Sequence, residues 1–168
     1  ASASTTRALS GLQQLSVREV ESRYRSEFFE DLISAGSKRK TKALERAYYF
    51  NLKPNNYYVT EVMSFKLKFE EEGDDEYFFE CLKDYANCVV MMTEEIMDYL
   101  NLNGIVSTKL NGIQILLGFE EEDNIGNRLK EFNDRLYKGL KERFKNMEIR
   151  IGVGRVYKGL EKVNKSFS

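Results

Sequence analysis

The chain has 168 residues, 42% of them apolar, enough for one domain with a core of its own. Lys and Arg number 26 against 27 Asp and Glu, so a net charge of -1 gives no general attraction to a polyanion. Histidine is absent, which removes Ser-His-Asp and Cys-His nucleophilic catalysis and every His-ligated metal site.

No apolar run approaches the ~18 residues of a membrane span, and no signal peptide is visible. The start at Ala1 without Met and the helix-like end read as a segment cut from a longer protein. Residues 1–15 are expected to be a linker, an incoming helix or a cloning scar, with Ala1 to Thr6 as a flexible start; residues 16–168 are expected to be the domain. Leu9, Leu12 and Leu15 fit the end of an incoming helix. Ser16-Val17-Arg18-Glu19 has the form of a capping box, in which each side chain satisfies a backbone N–H at a helix start. Val17, Val20, Tyr24, Phe28 and Leu32 then recur at helical spacing, and Gly36 is expected at the C′ position. A second helix is expected over 37–50, closed by Asn51 in the left-handed region, with Pro54, Asn55 and Asn56 making the next turn.

Residues 57–69 (YYVTEVMSFKLKF) are β-branched and aromatic and predict the first strand. The acidic run 70–76 lacks the ligand spacing of a calcium loop and reads as solvated. Leu82, Tyr85, Val89, Met92, Ile96 and Leu100 mark a helix over 79–100. Its two thiols, Cys81 and Cys88, are two turns and about 10 Å apart, too far for a disulfide, which suits a reducing cytosol. Met91, Met92 and Met97 read as core filler. Residues 105–110 and 113–119 predict a hairpin turning at Asn111-Gly112, a pair that favours type I′. Asp123 or Asn124 is placed to cap a helix whose buried stripe is Ile125, Leu129, Phe132, Leu136, Leu140 and Phe144. Residues 147–156 predict the fourth strand, and 160–168 begin a last helix.

This order is β-α-β-β-α-β, an α/β (α+β) ferredoxin-like or nucleotide-cyclase-like palm with an antiparallel sheet and added N-terminal helices. Two helices should cover one sheet face; the N-terminal helices should cover an edge or an end, or dock on a neighbour. Glu61, in the middle of the first strand, stands where palm enzymes place a metal carboxylate. Two-metal chemistry needs at least two convergent acids, and the hairpin turn offers none. Gly152-Val153-Gly154 lacks the full dinucleotide fingerprint; glycines there suit the close approach of a helix or side chain. Lys38, Arg39, Lys40, Lys42 and Arg46 form the most basic stretch, a solvated face or a contact for phosphate or an acidic ligand. An RNA-binding module of the same strand order ranks last, because the fourth strand offers Ile149, Ile151 and Val153 and no aromatic.

Residues 24–34 (YRSEFFEDLIS) resemble the helix that opens the central domain of PucR/CdaR-type bacterial transcription regulators. Arg46-Ala47 with Asn51-Leu52, then Ile151-Gly152-Val153-Gly154-Arg155, Gly159-Leu160 and Ser166-Phe167, resemble further hallmarks of that family in the same order. The resemblance implies a GGDEF-like domain, a relative of the diguanylate cyclase palm, lying between a sensory region and a helix-turn-helix. Glu61-Val62-Met63-Ser64-Phe65-Lys66 then falls where a cyclase has D-x-D-x-F-K, with Met63 in place of the second acid. Residues 109–114 (KLNGIQ) fall where the cyclase turn carries its acids. The resemblance therefore implies no catalytic residue, no metal and no cofactor, with Glu61, Asn111 and Gly112 as candidates for residual nucleotide binding. It also implies a cytoplasmic homodimer that meets DNA only through a C-terminal domain outside the segment, and an effector sensed upstream. The helix over 17–34 is the candidate dimer contact, with packing inside its own domain the alternative reading.

Overall fold

The computed structural model describes residues 2–34, 36–67, 75–109 and 111–167, with side chains described for 17, 19–34, 36–66, 84–109 and 111–166. Helix α1 spans Ser2–Ile33 and α2 spans Ser37–Arg46, prolonged by a 3-10 turn over Ala47–Phe50. Strand β1 (Tyr57–Leu67), helix α3 (Asp75–Tyr99), strands β2 (Asn103–Lys109) and β3 (Gly112–Phe119), helix α4 (Ile125–Arg143) and strand β4 (Met147–Val153) follow. A short β5 (Tyr157–Lys158), a 3-10 turn (Leu160–Lys162) and α5 (Val163–Phe167) close the chain. The strands pair in the order β2-β3-β1-β4, all antiparallel, with β5 running on beside β1. This is the expected β-α-β-β-α-β palm, with β1 in the middle of the sheet.

Side chains alternate across a strand, so each strand serves two cores. On one face Val59, Met63 and Phe65 of β1 meet Ile113, Ile115, Leu117 and Phe119 of β3, beneath α3 and the α4 stripe Ile125, Leu129, Phe132, Leu136 and Leu140. On the other face Tyr58, Ile105 and Leu116 meet Phe28, Phe29 and Leu32 of α1, Ala43 of α2, and Leu160 and Val163. Full burial of Phe28, Phe29 and Leu32 contributes roughly 1.5–3 kcal/mol each and holds the end of α1 against the sheet. The N-terminal helices therefore pack on the second face, not merely on an edge or an end. Arg25 of α1 reaches Glu94 of α3 at 2.6 Å, and since these helices lie on opposite faces the pair closes around the β2 edge.

Several local expectations change. Helix α1 runs unbroken from Ser2, so Ala3 to Thr6 are helical and Ser16–Glu19 lies mid-helix, where backbone N–H groups are already bonded and no capping box can close. Gly36 is extended (φ -74°, ψ 123°) and opens α2 instead of closing α1. Asn51 is left-handed at φ 55°, as expected. Asn124 opens α4 in the left-handed region at φ 66° without a side-chain cap. The hairpin turn is shifted by one residue: Lys109 pairs with Gly112, so Gly112 already belongs to β3, with Asn111 before it at φ 63°. Gly112 serves close approach rather than positive φ, because a Cβ there would lie 2.1 Å from the Met63 carbonyl oxygen. The acidic run 70–76 lies almost wholly outside the described residues, as does the Cys81 side chain; Cys88 is a half-buried free thiol.

Candidate functional site

Glu61 stands on β1 between Ile115 of β3 and Val153 of β4, facing α4. It has no exposed surface. Asn133, one step beyond the buried Phe132 on α4, donates from Nδ2 to Glu61 Oε1 at 2.9 Å. Burial pushes the carboxyl up to about 7, against the opposing pull of the Asn133 hydrogen bond. Glu61 Oε2 and Asn133 Oδ1 are both buried without a partner. When Glu61 is ionised, both atoms are acceptors and neither can serve the other. When it is protonated, Oε2 gains the donor that Oδ1 lacks, and a carboxyl and a carboxamide can pair through two reciprocal hydrogen bonds. The site is chemically suited to holding a proton. It is poorly suited to a hard divalent cation, which needs about six oxygen ligands including waters. Among the described residues no group of three His, Cys, Asp or Glu could hold a metal ion.

The structure does not bring Glu61 together with Asn111 and Gly112. Gly112 is opposite Ser64, three residues along β1 from Glu61, or about 10 Å at the usual rise. Gly112 also belongs to the opposite face. Asn111 is exposed, and its carbonyl accepts the Phe65 N–H at 3.0 Å.

On that second face the cover from α5 stops at Thr60, whose N–H donates to Ser166 Oγ at 2.9 Å, while α1 reaches one row further on the β2 side, to Ser107. Gly154 permits this contact: a Cβ there would lie 2.1 Å from the Ser166 carbonyl oxygen. Beyond Thr60 the turn end of the sheet forms an open shelf. One row sets Gly112, Ser64 and Arg150 side by side, and the next sets Ser107, Gln114, Val62 and Gly152. Ser64, Lys66, Arg150 and Gly152 are exposed. Gln114 is only 2% exposed, and its Oε1 has no hydrogen-bond partner. Beside it Ser107 Oγ is bonded to Ser26 Oγ of α1 at 2.9 Å. The shelf itself offers two exposed cations, Lys66 and Arg150, while the Gln114 acceptor is sealed beneath the surface. Arg150 is partly occupied by Glu148 at 3.1 Å.

Sequence reading missed Gln114 and Asn133. Their signal is a polar residue inside or beside an apolar pattern: Gln114 within the run 113–119, and Asn133 next to the Phe132 stripe.

The sequence profile described as a GGDEF-like domain matches residues 35–168. No curated protein matches the chain. Among solved structures, the de novo designed protein Foldit4 superposes with a TM-score of 0.37 at 8% identity, over 59% of this chain and 97% of its own, a likeness too slight to bear on fold or function. No helix among the described residues is long and apolar enough to cross a membrane.

Proposed function

Because the chain belongs to the GGDEF-like domain family, matched over residues 35–168, we propose that it is a non-catalytic, signal-transmitting domain of a PucR/CdaR-type bacterial transcription regulator. One observation carries this reading. The single acid at the palm's metal position, Glu61, is sealed against Asn133, while the hairpin segment 109–114 carries no acid and its Asn111 is exposed. A phosphoryl-transfer site needs its carboxylates convergent and reachable by substrate. In this reading the domain works as a cytoplasmic homodimer without a cofactor. An upstream domain senses the effector, and a helix-turn-helix outside the segment reads duplex DNA. Helix α1 is the coupling element, since Val17 and Val20 stay 56% and 64% exposed on the stripe that leads to buried Phe28.

Incubation with GTP and magnesium or manganese, followed by product chromatography, is expected to give no cyclic dinucleotide; turnover above buffer overturns the reading. Light scattering at high concentration is expected to report a dimer that Val20→Glu dissociates, and a strict monomer removes the coupling role of α1.

A second reading has its own observation, the exposed cations Lys66 and Arg150 on the open shelf. It makes the domain a degenerate palm that still binds a nucleotide or another small anion. Calorimetry with GTP, ATP and cyclic dinucleotides, with and without magnesium, tests it; absence of both heat and thermal shift excludes it.

A further inference from the structure

Helix α2 carries three cations in one line. Lys38, Lys42 and Arg46 follow at four-residue spacing, each about 6 Å further along the axis. The other cations of the basic stretch are engaged: Arg39 pairs with Asp31 at 2.9 Å, and Lys40 donates to Asn164 Oδ1 at 3.2 Å. Lys38 and Lys42 are exposed, with no ion-pair partner among the described residues. They border a shallow depression of about 280 Å³ whose other lining residues are Ser37, Thr41 and Glu45, the one acid there.

The line of charge runs into aromatic rings. Arg46 lies over the Tyr24 ring at 5.8 Å, Tyr24 meets Tyr49 edge-on at 6.5 Å, and Tyr49 stacks with Tyr48 at 4.2 Å. Tyr48 and Tyr49 are 66% and 65% exposed. The 3-10 turn Ala47–Phe50, with Ala47 buried and Asn51 left-handed behind it, holds the two rings outward.

We propose that this strip is a binding site for a single-stranded polynucleotide, with the α2 cations holding phosphates and the Tyr48–Tyr49 stack receiving a base. Charge complementarity selects a polyanion even though the whole chain is near neutral. The ~6 Å step between cations exceeds the ~3.4 Å per nucleotide of a stacked strand, so a strand that follows them is stretched and its bases are free to leave their own stack. An exposed aromatic platform takes such bases with little sequence preference. An acidic peptide could use the cations but would leave the tyrosine stack unused. The strip lies on helix α2 and the turn after it, not on the sheet, so the lack of aromatics on β4 does not bear on it. The inference does not rest on the regulator reading.

Fluorescence anisotropy of labelled 15-mers of oligo-rU and oligo-dT with the 168-residue chain tests it. Three neutralised phosphates give a log–log salt slope of about -2 for a single strand, so raising salt from 50 to 200 mM is expected to weaken binding about twentyfold. The Tyr48→Ala, Tyr49→Ala double variant is expected to bind at least fivefold more weakly at the same salt, with the slope retained. The Lys38→Gln, Lys42→Gln double variant is expected to flatten the slope to about -0.7. All four substituted residues are exposed, and circular dichroism checks that each variant is folded. Absence of binding to either strand at 50 mM salt overturns the proposal. So does indifference of a folded tyrosine variant, or competition by polyglutamate as strong as by unlabelled oligonucleotide, which assigns the cations to an acidic protein segment.

Discussion

The two faces of the central sheet come from the same four strands and are finished differently. Toward α3 and α4 the face is closed along β1: Val59, Met63 and Phe65 are buried, and the one carboxyl among them, Glu61, is capped by Asn133. Toward α1, α2 and α5 the face is closed as far as Thr60 on β1 and Ser107 on β2; beyond them Ser64, Lys66 and Arg150 stand in solvent. An acid on the closed face is subject to desolvation and becomes a matter of stability. A polar group on the open shelf keeps access to ligands and contributes little to folding. A palm that works on phosphates needs acids on accessible surface, and here the acid and the access lie on opposite sides.

Truncation should separate the faces by size of effect. Phe132→Ala on the closed side should lower the unfolding free energy by about 3–5 kcal/mol, because it leaves a cavity in a fully buried site. Chemical denaturation measures it, and a loss below about 1 kcal/mol would mean that α4 is not packed as described. At the boundary of the cover, Ser166→Ala strands the Thr60 N–H and should cost about 1–3 kcal/mol, with faster amide exchange at Thr60 in NMR. On the shelf, Lys66→Ala and Arg150→Ala should each change stability by less than about 0.5 kcal/mol. A larger loss from either would show that the shelf is folded shut in solution.

The closed face was the more legible in the sequence. Its stripe from Ile125 to Leu140 repeats at helical spacing because a helix on a sheet buries a single face, and the structure buries those residues. The second face depends on non-local contacts. Nothing near Phe28 or Phe29 in sequence says that they meet Tyr58, Leu116 and Val163. The hairpin was legible, but its register was not, because Asn-Gly signals a turn while the Met63 carbonyl decides where the glycine must stand. Glu61 was legible as a candidate position. Its partner was not, since Asn133 is an ordinary polar residue until α4 is laid over β1. Basic α2 was visible as composition, whereas the Tyr48–Tyr49 stack beside it needs the 3-10 turn to form.

The reading of Glu61 as a sealed, proton-holding group is tested most directly by the pH dependence of stability. Its folded-state pKa is raised to about 7 from the ordinary 4.5, so its contribution is full below about 4.5 and is lost as pH rises through about 7. The chain has no histidine to obscure this window. Urea denaturation of the parent chain should show a loss of about 2.5 kcal/mol between pH 5 and pH 8. Glu61→Gln, whose amide can donate to Asn133 Oδ1 as the protonated acid would, should flatten that profile and exceed the parent in stability at pH 8. A parent profile flat from pH 5 to 8, or a Glu61→Gln chain less stable than the parent at pH 8, would contradict it and return Glu61 to an ionised role.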